Sequence, residues 1–142
     1  MIEAQNLVKC FGDFTALSSL TTSIPRGSVY GLVGSNGSGK STFLRLCAGV
    51  YMPDGGSIAV DGQKVYENTA VKQTVFFIAD DLYFLPQSSL RDMARFYAQS
   101  YPGYSHERFE RLLGVFPLAP DAKLATFSKG IRSQAALVLA LA

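Results

Sequence analysis

The spacing of apolar residues changes about halfway along the chain, from short runs and alternation to helical repeats. Residues 2–10 and 14–24 alternate weakly and are separated by turn residues, which predicts two strands. Residues 29–33 and 75–78 are uninterrupted apolar runs, typical of buried parallel strands. The Asp-Gly pair within residues 57–66 suits a type I′ turn and predicts a hairpin there.

Helical spacing dominates the second half of the chain. Ser89 followed three residues later by Asp92 predicts a capping box at the start of an amphipathic helix. Ser105 predicts the N-cap of another helix, and the prolines that follow predict where this helix ends. Residues 128–142 predict a turn leading into a final apolar helix.

The most specific motif lies between these halves, where residues 34–42 match the pattern G-x-x-x-x-G-K-[ST]. Glycines let a loop approach an anion closely, and its N–H groups together with the following helix N-terminus attract phosphate. Lys40 supplies a charge for the outer phosphates, and the Ser41 hydroxyl can bind Mg²⁺. The predicted ATP-binding residues of the loop are Gly34, Ser35, Asn36, Gly37, Ser38, Gly39, Lys40, Ser41 and Thr42.

The residues on either side of this loop argue against a plain glycine-rich surface turn. The apolar run of residues 29–33 precedes it, as a strand should. After it, Phe43, Leu46 and Cys47 fall at helical spacing, together with Val50. Gly49 is positioned to cap that helix. The strand–loop–helix order therefore favours a nucleotide site.

Composition narrows the class of protein. The chain has 142 residues, 48% of them hydrophobic and 17% charged, which is typical of a globular domain or a piece of one. A net charge of +2 without a basic run gives no argument for nucleic acid binding. Cys10 and Cys47 are far apart, and two isolated thiols favour a reducing compartment over a disulfide framework. No signal peptide is evident, and the longest apolar run, residues 135–142, is too short to span a bilayer.

The order of motifs resembles the nucleotide-binding domain of ABC transporters over essentially the whole chain. The resemblance rests on residues 9–12, the 34–42 loop, the turn at residues 53–56 and the segment 127–130, in that order. It implies an α/β P-loop NTPase core with an antiparallel β-flap and a helical subdomain. About 1–78 would form the flap and P-loop core, about 86–127 the helical subdomain, and 128–142 the signature turn and helix.

The resemblance also implies roles for single residues. Phe11 occupies the position of an aromatic residue that stacks on adenine, although a core phenylalanine is the alternative. Asp80 aligns with a glutamine that reaches Mg²⁺ or the attacking water; an acid of an ordinary loop is the alternative. Ser128, Lys129 and Gly130 occupy the position of the family signature, which contacts ATP bound to the other subunit of a dimer. Lys129 replaces a usual glycine and Ile131 a usual glutamine, and a plain helix cap is the alternative.

The family's metal-binding aspartate, catalytic glutamate and switch histidine have no match in these residues, so the chain resembles the front part of such a domain. We therefore expect weak Mg-ATP binding and little hydrolysis by the chain alone. The implied function is Mg-ATP binding and hydrolysis in a homo- or heterodimer, driving transport through a separate membrane permease at the cytoplasmic face, with no nucleic acid partner. Alternatives are a soluble ABC ATPase of translation or DNA repair, a small P-loop kinase, and a nucleotide-sensing fragment without catalysis.

Overall fold

The computed structural model describes residues 1–142, which divide into two compact units, Met1–Val75 and Phe76–Ala142. The first unit contains the strands β1 (Ile2–Phe11), β2 (Phe14–Ile24), β3 (Gly55–Val60) and β4 (Gln63–Lys64), with helices α1 (Lys40–Cys47) and α2 (Thr69–Lys72). The second contains α3 (Leu90–Ser100), α4 (His106–Val115), a short 3₁₀ helix (Leu124–Thr126) and α5 (Lys129–Leu141).

The first unit is built on one antiparallel sheet with the strand order β2-β1-β3-β4. Apolar side chains on one face of this sheet pack against α1, as alternation along half-buried strands requires. This core contains Ala4, Leu7, Leu17, Phe43, Leu46, Cys47 and Ile58. Both cysteines are free, and burial raises the pKa of the Cys47 thiol to about 12.

Two turns of this unit form as their sequences predict. Asp61 and Gly62 both adopt positive φ, at 49° and 78°, which is the backbone of the predicted type I′ hairpin turn between β3 and β4. Gly49 has φ 65° and ends α1, and the N–H of Val50 donates to the carbonyl of Arg45. Because the chain reverses at Gly49, Val50 lies beyond the helix and is 53% exposed.

The two predicted parallel strands are also wrong, because residues 29–33 and 75–78 form no strand. A buried parallel strand needs a neighbouring strand to pair with and cover on both faces. No strand of this chain pairs with either segment. In the first segment, Leu32 packs toward the core, whereas Val29 and Val33 are 104% and 99% exposed.

The second unit packs its helices around a separate apolar core. Ser89 and Asp92 form the predicted capping box at the start of α3. Ser105 caps α4 as predicted, its side chain accepting from the N–H of Arg108. The core contains Leu90, Met93, Ala94, Phe109, Leu124, Ala135, Val138, Leu139 and Ala142.

None of the helices has the length and apolar character needed to cross a membrane.

Candidate nucleotide-binding site

The 34–42 loop ends in a helix start that lacks any protein cap. Gly39 precedes α1 in the left-handed conformation, and no side chain caps this helix. The N–H groups of residues 39–42 donate to no protein acceptor, and the first paired N–H is that of Phe43, which donates to the Gly39 carbonyl at 2.8 Å. Free N–H groups at a helix N-terminus form a ready site for an anion such as phosphate.

Glycine at position 39 is required by the backbone and by its neighbours. Its φ is 86°, a conformation that side chains rarely adopt. A Cβ there would lie 2.5 Å from the carbonyl oxygen of Ala16 on β2. The loop therefore lies directly against β2, and this contact leaves no space for a side chain.

Lys40 turns back over the loop. Its Nζ donates to the carbonyl oxygens of Gly34 and Ser35 at 2.9 and 2.7 Å. The ammonium group therefore lies on the same loop as the free N–H groups, where it adds a positive charge to their partial charges. Bound phosphate would be an additional acceptor for this ammonium group.

Phe11 lies at the end of β1 and is held from two sides. Its ring meets the ring of Tyr51 edge-on with centroids 5.3 Å apart, and the Nζ of Lys9 lies 5.5 Å from its centroid. Asp54 supports this cluster, since its carboxylate accepts from the Cys10 N–H at 2.6 Å and pairs with Lys9 at 3.1 Å. The Cys10 hydrogen bond first, and Lys9 second, lower the pKa of Asp54.

One open cavity joins the aromatic end of the β1–β2 hairpin to the phosphate loop. Its volume is about 300 Å³, and its lining includes Phe11, Phe14, Ala16 and residues 36–42. That volume lies at the lower end of the range for small-ligand sites, about 300–1,000 Å³. The cavity brings together Phe11 and most of the predicted loop residues. The sequence analysis gives Phe14 no role in the site, although its position across a two-residue turn from Phe11 indicates that the two residues lie close together.

The predicted metal site depends on the Ser41 hydroxyl. Ser41 is exposed in the first turn of α1, so its hydroxyl is free to meet a ligand. No group of three or more His, Cys, Asp or Glu side chains could hold a metal ion by itself. A hydroxyl next to a phosphate site suits Mg²⁺, which keeps several waters and binds partly through the phosphates. Asp80 belongs to the second unit, where its side chain is exposed in a segment without regular structure.

The predicted signature residues lie at the start of α5. Ser128 is its N-cap, and its Oγ accepts from the Ile131 N–H at 3.4 Å. Lys129 and Gly130 are exposed, and their N–H groups donate to no protein acceptor. A Cβ added at Gly130 would meet nothing within 4 Å, so the chain's own packing does not require glycine there.

A second cavity, of about 310 Å³, opens beside this helix start. Its lining includes Asp80, Lys129 and Arg132. Arg132 ties α5 to the neighbouring loop, because its Nη2 donates to the Leu82 carbonyl at 2.9 Å and its guanidinium lies 5.5 Å from the Phe84 ring centroid. Within the second unit, Asp80 and Lys129, one of the predicted signature residues, thus border the same space.

Comparisons with known proteins agree with this geometry. Residues 17–142 match the family model described as ABC transporter. The ABC transporter ATP-binding protein YtrB of Bacillus subtilis is 28% identical over 142 residues, covering 100% of this chain and 49% of that protein. The energy-dependent translational throttle protein EttA of Haemophilus influenzae is 47% identical over 60 residues, covering 42% of this chain and 11% of that protein. The chain spans about half the length of YtrB.

A solved structure described as the ATP binding subunit of an ABC transporter has a TM-score of 0.87 at 27% identity, covering 98% of this chain and 60% of that chain. This likeness confirms the predicted fold class, a P-loop NTPase of the ABC type with an antiparallel flap and helices. The family model covers most of the chain and includes the phosphate loop. The chain therefore belongs to the ABC transporter family, and its fold is that of the family's ATP-binding cassette.

Proposed function

We propose that this chain is part of an ATP-binding subunit that couples Mg-ATP binding and hydrolysis to transport. The observation that carries the proposal is the uncapped start of α1, where the free N–H groups of residues 39–42 lie beside Lys40. The same cavity extends to the ring of Phe11. The end of the cavity at the loop therefore suits phosphates, and the end at Phe11 suits a nucleobase.

Each part of the loop has a separate task in this proposal. The free N–H groups bind and orient the phosphates, and Lys40 offsets the charge of the outer ones. The Ser41 hydroxyl would be the protein ligand for Mg²⁺, which would offset the negative charge of the phosphates. Phe11 stacks on adenine and fixes the base end of the nucleotide. In the complete protein, Asp80 would bind the metal ion or orient the attacking water, as the resemblance implies.

The start of α5 is proposed to contact ATP held by a second nucleotide-binding domain. Ser128 offers a hydroxyl, and Lys129 and Gly130 offer free N–H groups at a helix N-terminus. The open space around Gly130 supports this role, because glycine there leaves room for the approach of another molecule. The partner domain is a second copy or a related chain.

The second unit is proposed to meet a separate membrane permease at the cytoplasmic face. Tyr83 and Phe96 carry large side chains that are 75% and 43% exposed. Exposed aromatic residues are favoured at protein interfaces.

By itself the 142-residue chain is expected to bind ATP weakly and to hydrolyse it little, because Lys40 and Ser41 alone cannot orient the attacking water.

Thermal denaturation with and without Mg-ATP tests binding at the loop, since a ligand that binds the native state raises its melting temperature. We expect ATP to stabilise the wild-type chain and the Lys64→Ala control, whose exposed lysine lies on β4. The melting temperature of Lys40→Ala should rise much less at the same ATP concentration, because its binding is weaker. An unresponsive wild type, or an equal ATP shift in Lys40→Ala, would contradict the proposal.

The similarity to EttA favours one second candidate, a soluble ATPase acting in translation. The net charge of +2 gives little attraction for nucleic acid. Purification of the native complex separates the two candidates. Recovery with an integral membrane permease supports the transporter subunit, and recovery with ribosomes supports the alternative.

A further inference from the structure

A second aromatic side chain borders the proposed ATP site. Phe11 and Phe14 are directly paired across the turn that joins β1 to β2, so their side chains emerge on the same face of the hairpin. Both are exposed, at 44% and 61%, and both line the cavity that reaches the phosphate loop. An apolar ring bordering a polar loop is a suitable surface for a base.

The two rings differ in how the protein holds them. Tyr51 and Lys9 pack around Phe11. Phe14 makes no aromatic contact with another ring and belongs to no apolar core of the chain. Its side chain is therefore not required for packing within this unit, and much of its surface is free for a ligand.

The backbone fixes Phe14 relative to the loop. In the pairing of β1 with β2, Lys9 faces Leu17 and Cys10 faces Thr15, which leaves Ala16 as an extra residue on β2. Such a bulge redirects a strand locally and is common beside functional sites. A Cβ added to Gly39 would lie only 2.5 Å from the carbonyl oxygen of Ala16. Phe14, two residues earlier, is thus attached to a strand that touches the phosphate loop.

We propose that Phe14 is a second contact for the nucleobase, so that the base binds between Phe11 and Phe14 while the triphosphate binds residues 39–42. The inference rests on the proposed ATP-binding function and assigns it a further residue. A ring on each side excludes water from both faces of the base, and each base–aromatic contact adds affinity without reading hydrogen-bonding groups.

Equilibrium binding of ATP and of inorganic triphosphate separates base contacts from phosphate contacts. We expect Phe14→Ala to weaken ATP binding about five- to tenfold, as the loss of one stacking contact should. Its affinity for triphosphate should equal that of wild type. The control, Val115→Ala, removes an exposed apolar side chain at the end of α4 in the second unit and should change neither affinity.

The Phe14→Trp variant gives an independent readout, because the chain has no tryptophan. It keeps an aromatic ring, so ATP should still bind and should change the tryptophan emission, whereas triphosphate should leave it nearly unchanged. Unaltered emission at saturating ATP would overturn the inference. So would ATP affinity in Phe14→Ala equal to wild type, or an equal loss for triphosphate.

The binding experiments distinguish a wrong role for Phe14 from failure of the proposed ATP-binding function. If wild type binds neither ATP nor triphosphate, the nucleotide site itself is wrong. If wild type binds both and Phe14→Ala binds ATP as tightly, the nucleotide site stands and only the role of Phe14 fails.

Discussion

At the scale of single residues, the site depends on a few contacts that only the folded chain reveals. The sequence motif identifies Gly39 as a loop glycine, but the reason for glycine is the carbonyl of Ala16, far away in sequence. Lys40 was predicted as a phosphate ligand, and in the structure it also holds the loop through the carbonyls of Gly34 and Ser35. The contact between Gly39 and Ala16 joins residues far apart in the sequence, so it leaves no local pattern there.

Replacing Gly39 by alanine should destabilise the first unit and weaken ATP binding. The variant combines a strained φ of 86° with a backbone clash. Gly12→Ala is the matched control, since Gly12 also has positive φ, 58°, but open space around it. Strain alone costs about 1–2 kcal/mol. Chemical denaturation should give a clearly larger loss for Gly39→Ala, and equal losses would show that the contact with Ala16 is unimportant.

Asp61 should make stability depend on pH in the acid range. Hydrogen bonds from Arg26 first, and from the amine of Met1 second, hold its pKa well below the usual range. Its contribution to stability is therefore present above the unfolded-state pKa, about 3.9, and is lost as the pH falls through the folded-state value.

We expect the free energy of unfolding to fall less steeply below about pH 4 in Asp61→Asn than in wild type. The chain must carry no N-terminal tag, because the Met1 amine is one partner. Asp13→Asn, in the turn between β1 and β2, serves as the control and should behave like wild type. Identical acid profiles for wild type and Asp61→Asn would contradict this assignment.

At the scale of secondary-structure elements, the sequence predicts helix caps and turns correctly, but it does not predict which segments pair as strands. The capping box at Ser89, the cap at Ser105 and the Asp61 turn are determined by side-chain chemistry within a few residues, and all three form as predicted. The runs 29–33 and 75–78 have the composition of buried strands. A strand, however, is defined by its neighbour, and none is present for either run.

Ser89→Ala should lower the stability of α3 and of the core it packs in. The Ser89 side chain accepts from the Asp92 N–H at 3.1 Å, and its own N–H donates to the Asp92 carboxylate at 2.9 Å. Loss of such a cap costs about 1 kcal/mol. Ser100→Ala, at the other end of α3, is the control, and urea denaturation should show a loss only for Ser89→Ala. A loss of the same size in both variants would argue against a specific capping effect.

At the scale of the whole molecule, each unit has its own core, but the first exposes an unpaired apolar segment. Val29 and Val33 are almost fully exposed, and the backbone of residues 29–33 makes no backbone hydrogen bond. Unpaired extended backbone with apolar side chains promotes association between chains. The phosphate loop follows this segment directly along the chain.

The chain should self-associate at high concentration, and charge at this segment should reduce the association. The double variant Val29→Lys, Val33→Lys places lysines on the exposed side, a common protection for strand edges. Val50→Lys is the control, since Val50 is also exposed, at 53%, but lies past the end of α1. Light scattering should give a smaller average mass only for the double variant. A wild type that stays monomeric at every concentration would contradict the prediction.

The most direct test of the central claim follows the backbone N–H groups of the loop while ATP is added to isotopically labelled protein. If residues 39–42 hold the phosphates, their amide NMR signals should shift and saturate with ATP. Inorganic triphosphate should shift the same signals, and the Lys40→Ala chain should need much more ATP for the same change. Loop amides that stay unmoved at saturating ATP would contradict the account.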